Sequence, residues 1–480
     1  MQRPWTLAWL VASLLLLAVP AHAQDVGKLH REQLEKAKGL AAWADERDFF
    51  TGRDAIYRIV VVLDPSDEDA RKALGYKKKK GEWVEGKYKE PTDKCEEGVP
   101  AEFADLRAAA YAELLAHVTA EFADVKSTPA ANGVRMREYA RLLPWSPDDP
   151  ELHAFLGETY DPERSRWILL ESAAAIADRA ARVELLEKMR EKLPEATPCN
   201  PDEYARKMNI EFPVCVESRN VNCTSTVDEE ETRALLDISH MMRDYFAAVF
   251  PRAGKPGYPT VIYVLDGGNL RRAFFSQHPL CKPDDLEWRV PLTSSWLQGR
   301  LVVSAESKVL RKDVTTFQTC GYALTEKYGV WVEDGWAQQG LCSYLSYNVC
   351  GTRLSFWQIS EDRYGGFKNK DWTDRVPPTT DGWLSEARRL VDEGQPMGKW
   401  VRALAIHTSQ MDWQDVVMSH ALAAYLFEGR RPELIAILER LKKAKQAETP
   451  MTTVFEEELG LTVQDLRDRV MRWIGEVAEI

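Results

Sequence analysis

Residues 315–337 read TTFQTCGYALTEKYGVWVEDGWA. The stretch divides into the end of one helix, expected over about 311–328, and the start of another over about 333–347. Upstream, PTVIYVLD (Pro259–Asp266) is a β-branched run that reads as a buried strand, and RLVVS (Arg300–Ser304) reads as a second short one. Phe212–Val216 and Val221–Thr226 have the pattern of paired strands. Asp228–Phe250 reads as a long amphipathic helix opened by acidic residues. Downstream, helical periodicity recurs over about 382–393, 399–408, 412–427, 431–443 and 461–477. Strands and one long helix come first, then many helices. That order predicts a helix-rich α+β domain with a small sheet over residues 208–480.

The same order, with Trp331-Val332-Glu333-Asp334-Gly335-Trp336-Ala337 at its centre, resembles the peptidase MA-like (gluzincin) group of zinc metallopeptidases. In that group an edge strand precedes a helix carrying H-E-x-x-H, whose two His bind zinc and whose Glu is the general base. A second helix opens with W-x-x-E-G-x-A and supplies the third ligand. Aligned on the second motif, Gln318 and Tyr322 take the two His positions, Thr319 the Glu position, and Asp334 the third-ligand position. The closing segments SHALAAYLFEG (Ser419–Gly429), LIAILERLKK (Leu434–Lys443) and FEEELGLTVQDLRDRVMRWI (Phe455–Ile474) also look like that group. The resemblance implies a degenerate peptidase domain with no catalytic residue and no zinc. It implies a cleft lined by Gln318, Tyr322, Glu333 and Asp334, in which Gln and Tyr hydrogen-bond a peptide without a metal.

No other chemistry is spelled out. His30, His117, His153, His240, His278, His407 and His420 have no two members at i,i+2 to i,i+4 spacing, so no metal or other cofactor is expected. Cys320 points to a different side of its helix from Gln318, and a disulfide to Cys342 or Cys350 is preferred to a nucleophile. Glu333 and Asp334 diverge by about 100° on a helix, which disfavours a convergent carboxylate pair. The chain has no G-x-S-x-G, P-loop or G-x-G-x-x-G.

Residues 24–195 read as a mostly helical domain. Asp64-Pro65-Ser66-Asp67-Glu68-Asp69-Ala70 leads to Ala73-Leu74-Gly75, and Ser146-Pro147-Asp148-Asp149-Pro150-Glu151-Leu152 leads to Phe155-Leu156-Gly157. In each, proline and acidic residues open a helix and Gly closes it. Trp83 follows the first and Trp167 the second. These frames resemble the junctions of tetratricopeptide-like proteins, and two copies of a helical unit are expected. Pro194, Pro198 and Pro201 mark a loop and the expected domain boundary.

Arg3, the apolar run Trp5–Val19 and Ala21-His22-Ala23 have the form of a signal peptide, residues 1–23. No later run is long and apolar enough to span a membrane. Eight cysteines behind such a signal suggest disulfides in an exported, periplasmic or extracellular protein, with Cys215 and Cys223 the favoured local pair. A formal charge of −12 disfavours nucleic acid, and Lys77–Lys80 reads as a solvated turn. The expectation is an exported, non-catalytic binding or scaffold protein with a peptide or protein partner. Two alternatives stay open: an active peptidase or other hydrolase with an unorthodox site, and a cell-envelope assembly module acting through its N-terminal helices.

Overall fold

The computed structural model describes residues 22–254, 257, 259–290, 292–351, 380–394, 400–402, 404 and 407–477. The expected signal segment lies outside them except for His22 and Ala23, as does part of the helix expected over 399–408. The chain divides into two compact units between Thr159 and Tyr160.

The first unit holds α1 (His22–Asp45), α2 (Phe50–Leu63), α3 (Glu68–Ala73), β1 (Lys77–Lys79), β2 (Glu82–Val84), α4 (Val99–Phe122), α5 (Pro129–Ala140) and α6 (Pro150–Phe155). The short apolar run Tyr57–Val62 lies within α2. Ile56, Ile59, Val60 and Leu63 point inward there, onto Ala37, Ala41, Phe103, Leu114 and Val118. The two Pro-to-Gly frames adopt one local structure. Asp67 and Asp149 cap six-residue helices through their carboxylates, and Gly75 (φ 82°) and Gly157 (φ 69°) end them in the left-handed region. Each frame is preceded by a 24-residue helix and then a shorter one. Each is followed by a two-stranded antiparallel element, β1–β2 after Gly75 and β3 (Glu158–Asp161) with β4 (Arg166–Leu169) after Gly157. The lysine run is the exposed strand of the first hairpin, with Lys78 paired to Glu68 and lying over Trp83.

The second unit continues with α7 (Leu170–Glu191), β5 (Thr197–Pro198), α8 (Glu203–Lys207), β6 (Val214–Ser218), β7 (Val221–Ser225) and α9 (Glu229–Val249). There follow β8 (Val261–Val264), α10 (Gly268–Gln277), α11 (Leu286–Arg289), β9 (Ser294–Leu297), β10 (Arg300–Val303), α12 (Lys308–Tyr328) and α13 (Cys342–Cys350). The chain closes with α14 (Thr380–Asp392), α15 (Trp413–Gly429), α16 (Arg431–Gln446), α17 (Met451–Leu459) and α18 (Val463–Val477). The proline loop near residue 195 is a connection inside this unit, because α7 packs on α15, α9 and α18. Prolines there deny the backbone donors that would prolong α7 and let the chain enter a two-residue edge strand.

Six strands form one mixed sheet in the order β5-β6-β7-β8-β10-β9, with β8 parallel to β7 and β10 and the other pairs antiparallel. All four residues of β8 are buried, as its unbroken apolar run requires of a central strand covered on both faces. Ile262, Val264, Leu301 and Val303 pack beneath Leu235, Leu236, Leu310 and Val314 of α9 and α12. The alternate residues Val261, Tyr263 and Val302 pack beneath Phe274 and Phe275 of α10 on the other face. The helix-rich α+β fold read from the sequence is the observed one.

Candidate functional site

Helix α12 forms where Ser307 caps it by accepting from the Leu310 N–H, and Gly329 (φ 68°) stops it. Its four threonines would weaken an exposed helix. Here Thr315, Thr316 and Thr319 donate their hydroxyls to the carbonyls of Arg311, Lys312 and Thr315, so the buried oxygens are satisfied within the helix. Thr319 also lies 3.2 Å from Ser239 Oγ of α9. It is a packing residue of the helix–helix contact and lines no opening.

Gln318 and Tyr322, one helical turn apart, face the edge strand β9. The Trp296 indole N–H donates to Gln318 Oε1 at 2.9 Å, and Gln318 Nε2 donates to Ser294 Oγ at 2.9 Å. The Tyr322 ring stacks on Trp296 at a centroid distance of 4.6 Å and 22°. Both are half-buried, and the pair forms a wall with one side open. The strand turns into β10 through Gln298 (φ 46°) and Gly299 (φ 80°), a two-residue reversal with both central residues left-handed. The ladder of such a hairpin turns the main-chain groups of Ser294 and Trp296 away from β10. The Trp296 carbonyl accepts there from Arg289 Nη1 at 2.9 Å.

Asp334 is held elsewhere. Its carboxylate accepts from the Trp331 N–H at 2.8 Å and from Lys445 Nζ of α16 at 2.5 Å, and the residue is 4% exposed. Lys445 also donates to the Gly329 carbonyl at 3.2 Å and to Glu333 at 3.3 Å. The ammonium therefore sits among three oxygens at the C-terminal end of α12. Gln318 is eleven residues back along that helix, about 16 Å at 1.5 Å per residue. So the structure brings Gln318 and Tyr322 together and separates Glu333 and Asp334 from them. Burial raises the Asp334 carboxyl above its ordinary range, and Lys445 pulls against that.

Past Asp334 the chain makes a π-helical turn, Trp336–Leu341, before α13. Trp336 is fully buried, edge-on to Phe455 at 5.0 Å. Gly340 is required, because a Cβ there would lie 2.3 Å from the Ser419 carbonyl oxygen. The segment that begins at Trp336 thus builds the crossing with α15. Trp331 and Val332 remain exposed.

Sequence reasoning missed Ser294, Trp296 and Lys445. Four residues of mixed polarity gave β9 no periodicity of its own, although the Gln-Gly pair ahead of RLVVS was a usable hairpin signal. Lys445 lies 111 residues from Asp334 in a run of lysines, and nothing local distinguishes it.

Among the described residues one group has metal-ligand types close together: Glu32, Glu113 and His117, with atoms within 4.8 Å. His117 Nδ1 is 2.8 Å from Glu32, and Lys36 already sits 2.7 Å from Glu113 on a largely exposed surface. The arrangement is that of a surface ion-pair cluster.

Comparison with protein-family models, with curated proteins and with solved structures finds no match. The class rests on the fold alone: a helix-rich α+β protein with a mixed six-stranded sheet. No described helix is long and apolar enough to cross a membrane.

The Asp334–Lys445 pair gives a stability test. Lys445→Met should cost about 1–2 kcal/mol, since it strands a buried carboxylate that keeps only a backbone donor, discounted for the lysine's partial exposure. Asp334→Asn in the same chain should recover part of the loss. Urea midpoints of the two single variants and the double variant decide it, and strictly additive losses would mean the pair is not coupled.

Proposed function

We propose that this chain is an exported, non-catalytic binding protein whose domain resembles a zinc peptidase that no longer binds zinc. Its ligand is an extended peptide lying between the β9 edge and α12. The observation that carries this reading is the Trp296–Tyr322–Gln318 cluster. At the two positions where the resemblance expects zinc ligands, the chain has an amide and a phenol bonded or stacked to an edge strand. The third position is closed by a lysine about 16 Å away along the helix. A cation already occupies the carboxylate there, which leaves no charge for a metal to balance. An edge strand with outward main-chain groups beside an aromatic wall suits strand addition, where backbone bonds give affinity and side-chain pockets give selectivity. Arg289 would yield the Trp296 carbonyl to the incoming strand.

The test combines zinc content of the purified protein, casein turnover and binding to an immobilised peptide library. The reading expects zinc far below one equivalent, no turnover, and peptide binding weakened about tenfold or more (about 1.4 kcal/mol) by Tyr322→Ala and by Trp296→Ala. Stoichiometric zinc with proteolysis would overturn it. So would peptide binding indifferent to both substitutions.

A further inference from the structure

Eight cysteines were expected to pair, with Cys215 and Cys223 as neighbours; the sheet register separates those two. Val216 stands opposite Cys223 and Thr224 opposite Cys215, so the side chains of Cys215 and Cys223 lie on opposite faces of the sheet. Cys223 is fully buried under α9. Cys215 has a different neighbour. In β5 and β6, Thr197 stands opposite Glu217 and Pro198 opposite Val216, which puts Cys199 directly opposite Cys215. The Cys199 N–H donates to the Cys215 carbonyl at 3.0 Å. Directly opposed residues of an antiparallel pair have Cβ atoms roughly 4.5–5.5 Å apart, close to the span a disulfide bridges. One Asn222 amide nitrogen lies 3.1 Å from Cys199 Sγ and 3.3 Å from Cys215 Sγ, so one donor group bridges the two sulfurs. A second pair sits between α12 and α13. Cys320 and Cys342 are both fully buried, a Cβ on Gly321 would lie 3.8 Å from Cys342 Sγ, and burial together with the neighbouring Cys342 raises the Cys320 thiol.

We propose that this chain carries two disulfides, Cys199–Cys215 across the β5–β6 edge and Cys320–Cys342 between the two helices of the resembling motif. In each, one thiolate attacks a small-molecule disulfide such as oxidised glutathione and releases one glutathione thiol. The second cysteine then attacks the mixed disulfide and releases the other. Two protein thiols lose two protons and two electrons, and the oxidant leaves as two thiols. The pairs differ in access. Cys199 and Cys215 are half-buried, so their bridge opens and closes in the folded protein. Cys320 and Cys342 have no exposure, so their bridge forms while the chain folds and then resists reductant. Burial also pushes the Cys199 thiol up to about 12, so closure of the edge pair accelerates as pH rises.

The test is a non-reducing peptide map of the full chain refolded in a glutathione redox buffer and alkylated with iodoacetamide. The expected map contains Cys199 linked to Cys215 and Cys320 linked to Cys342, each linked pair lighter by two hydrogen atoms than its thiol form. Brief treatment of the folded protein with tris(carboxyethyl)phosphine should then release only the first pair for labelling. A map with only one of these links, or with any other partner for these four cysteines, overturns the proposal. So does release of both pairs at the same rate. In Cys199→Ser, Cys215 should take up the alkylating reagent while the Cys320–Cys342 link persists; a new partner for Cys215 there would count against the assignment.

Discussion

Glu428→Ala will lower the unfolding free energy by about 3–5 kcal/mol, the cost of stranding buried charge. Glu428 closes α15, and its side chain is 1% exposed. Its carboxylate accepts from Arg179 Nε at 3.1 Å, Arg182 Nη2 at 3.0 Å and the Tyr344 hydroxyl at 2.5 Å. Arg182 also donates to the Tyr344 oxygen. Two guanidinium groups of α7 thus share one carboxylate, together with a phenol of α13. Burial and the adjoining Glu428 push the Tyr344 hydroxyl well above its ordinary value. Glu428 offsets one of the two positive charges that Arg179 and Arg182 bring to this contact, and Asp178 lies 3.7 Å from Arg182. Alanine removes that compensation and leaves a cavity. Glu428→Gln keeps the shape and one acceptor oxygen but loses the charge, so about half the cost is expected. Urea unfolding gives both values. A loss under about 1 kcal/mol for alanine would mean that water reaches the arginines in the native state.

That network shows where the sequence stopped being legible. The helices themselves were readable, because each carries its own signal: Asp228 before Glu229–Glu231, and an apolar period along α12 and α16. The buried strand β8 was readable because a central strand has no polar face to alternate. What joins these elements was not. Glu428 and Glu171 look like surface residues of amphipathic helices, and only the packing of α7 against α15 and α18 buries them. The same holds at the site. Gln318 and Tyr322 share a face of α12 by spacing alone, so their pairing was legible. Their partners Ser294 and Trp296 were not, since a four-residue strand is defined by its neighbour β10 more than by its own pattern. Asp334 was placed by a motif read in one dimension. Its position in space is set by Lys445 of α16, whose approach depends on how α16 packs beside α12. The Cys215 assignment failed for a related reason. Proximity in a hairpin favours neighbours in sequence, but the alternation of faces decides which side chains meet.

Acidification between about pH 6.5 and 4 will destabilise the second unit steeply, through His240 and His278. Both are buried in the folded chain, His240 in α9 and His278 just after α10. Burial is the main cause that holds each well below its ordinary value of 6.5, at about 4, with Arg219 adding to it at His240 and Arg300 and Arg289 at His278. Asp244 and Asp202 oppose the shift. The unfolded chain takes up a proton on each imidazole near pH 6.5, whereas the native state does so only near pH 4. Within that window the unfolded state binds more protons, so stability falls as pH falls. Full development of the two shifts would cost up to about 3 kcal/mol per histidine. Asp237 and Asp334, raised by burial, act with the opposite sign: the native state protonates them first, which offsets part of the loss at the acid end of the range. Urea midpoints at pH 7, 6 and 5 should therefore fall progressively. His240→Gln and His278→Gln should each flatten the profile by roughly half, even if they lower the midpoint at pH 7. A midpoint unchanged from pH 7 to pH 5 in the unsubstituted protein would mean that water solvates both imidazoles in the native state as freely as in the unfolded chain, and a midpoint that rises would mean that the native state holds them protonated.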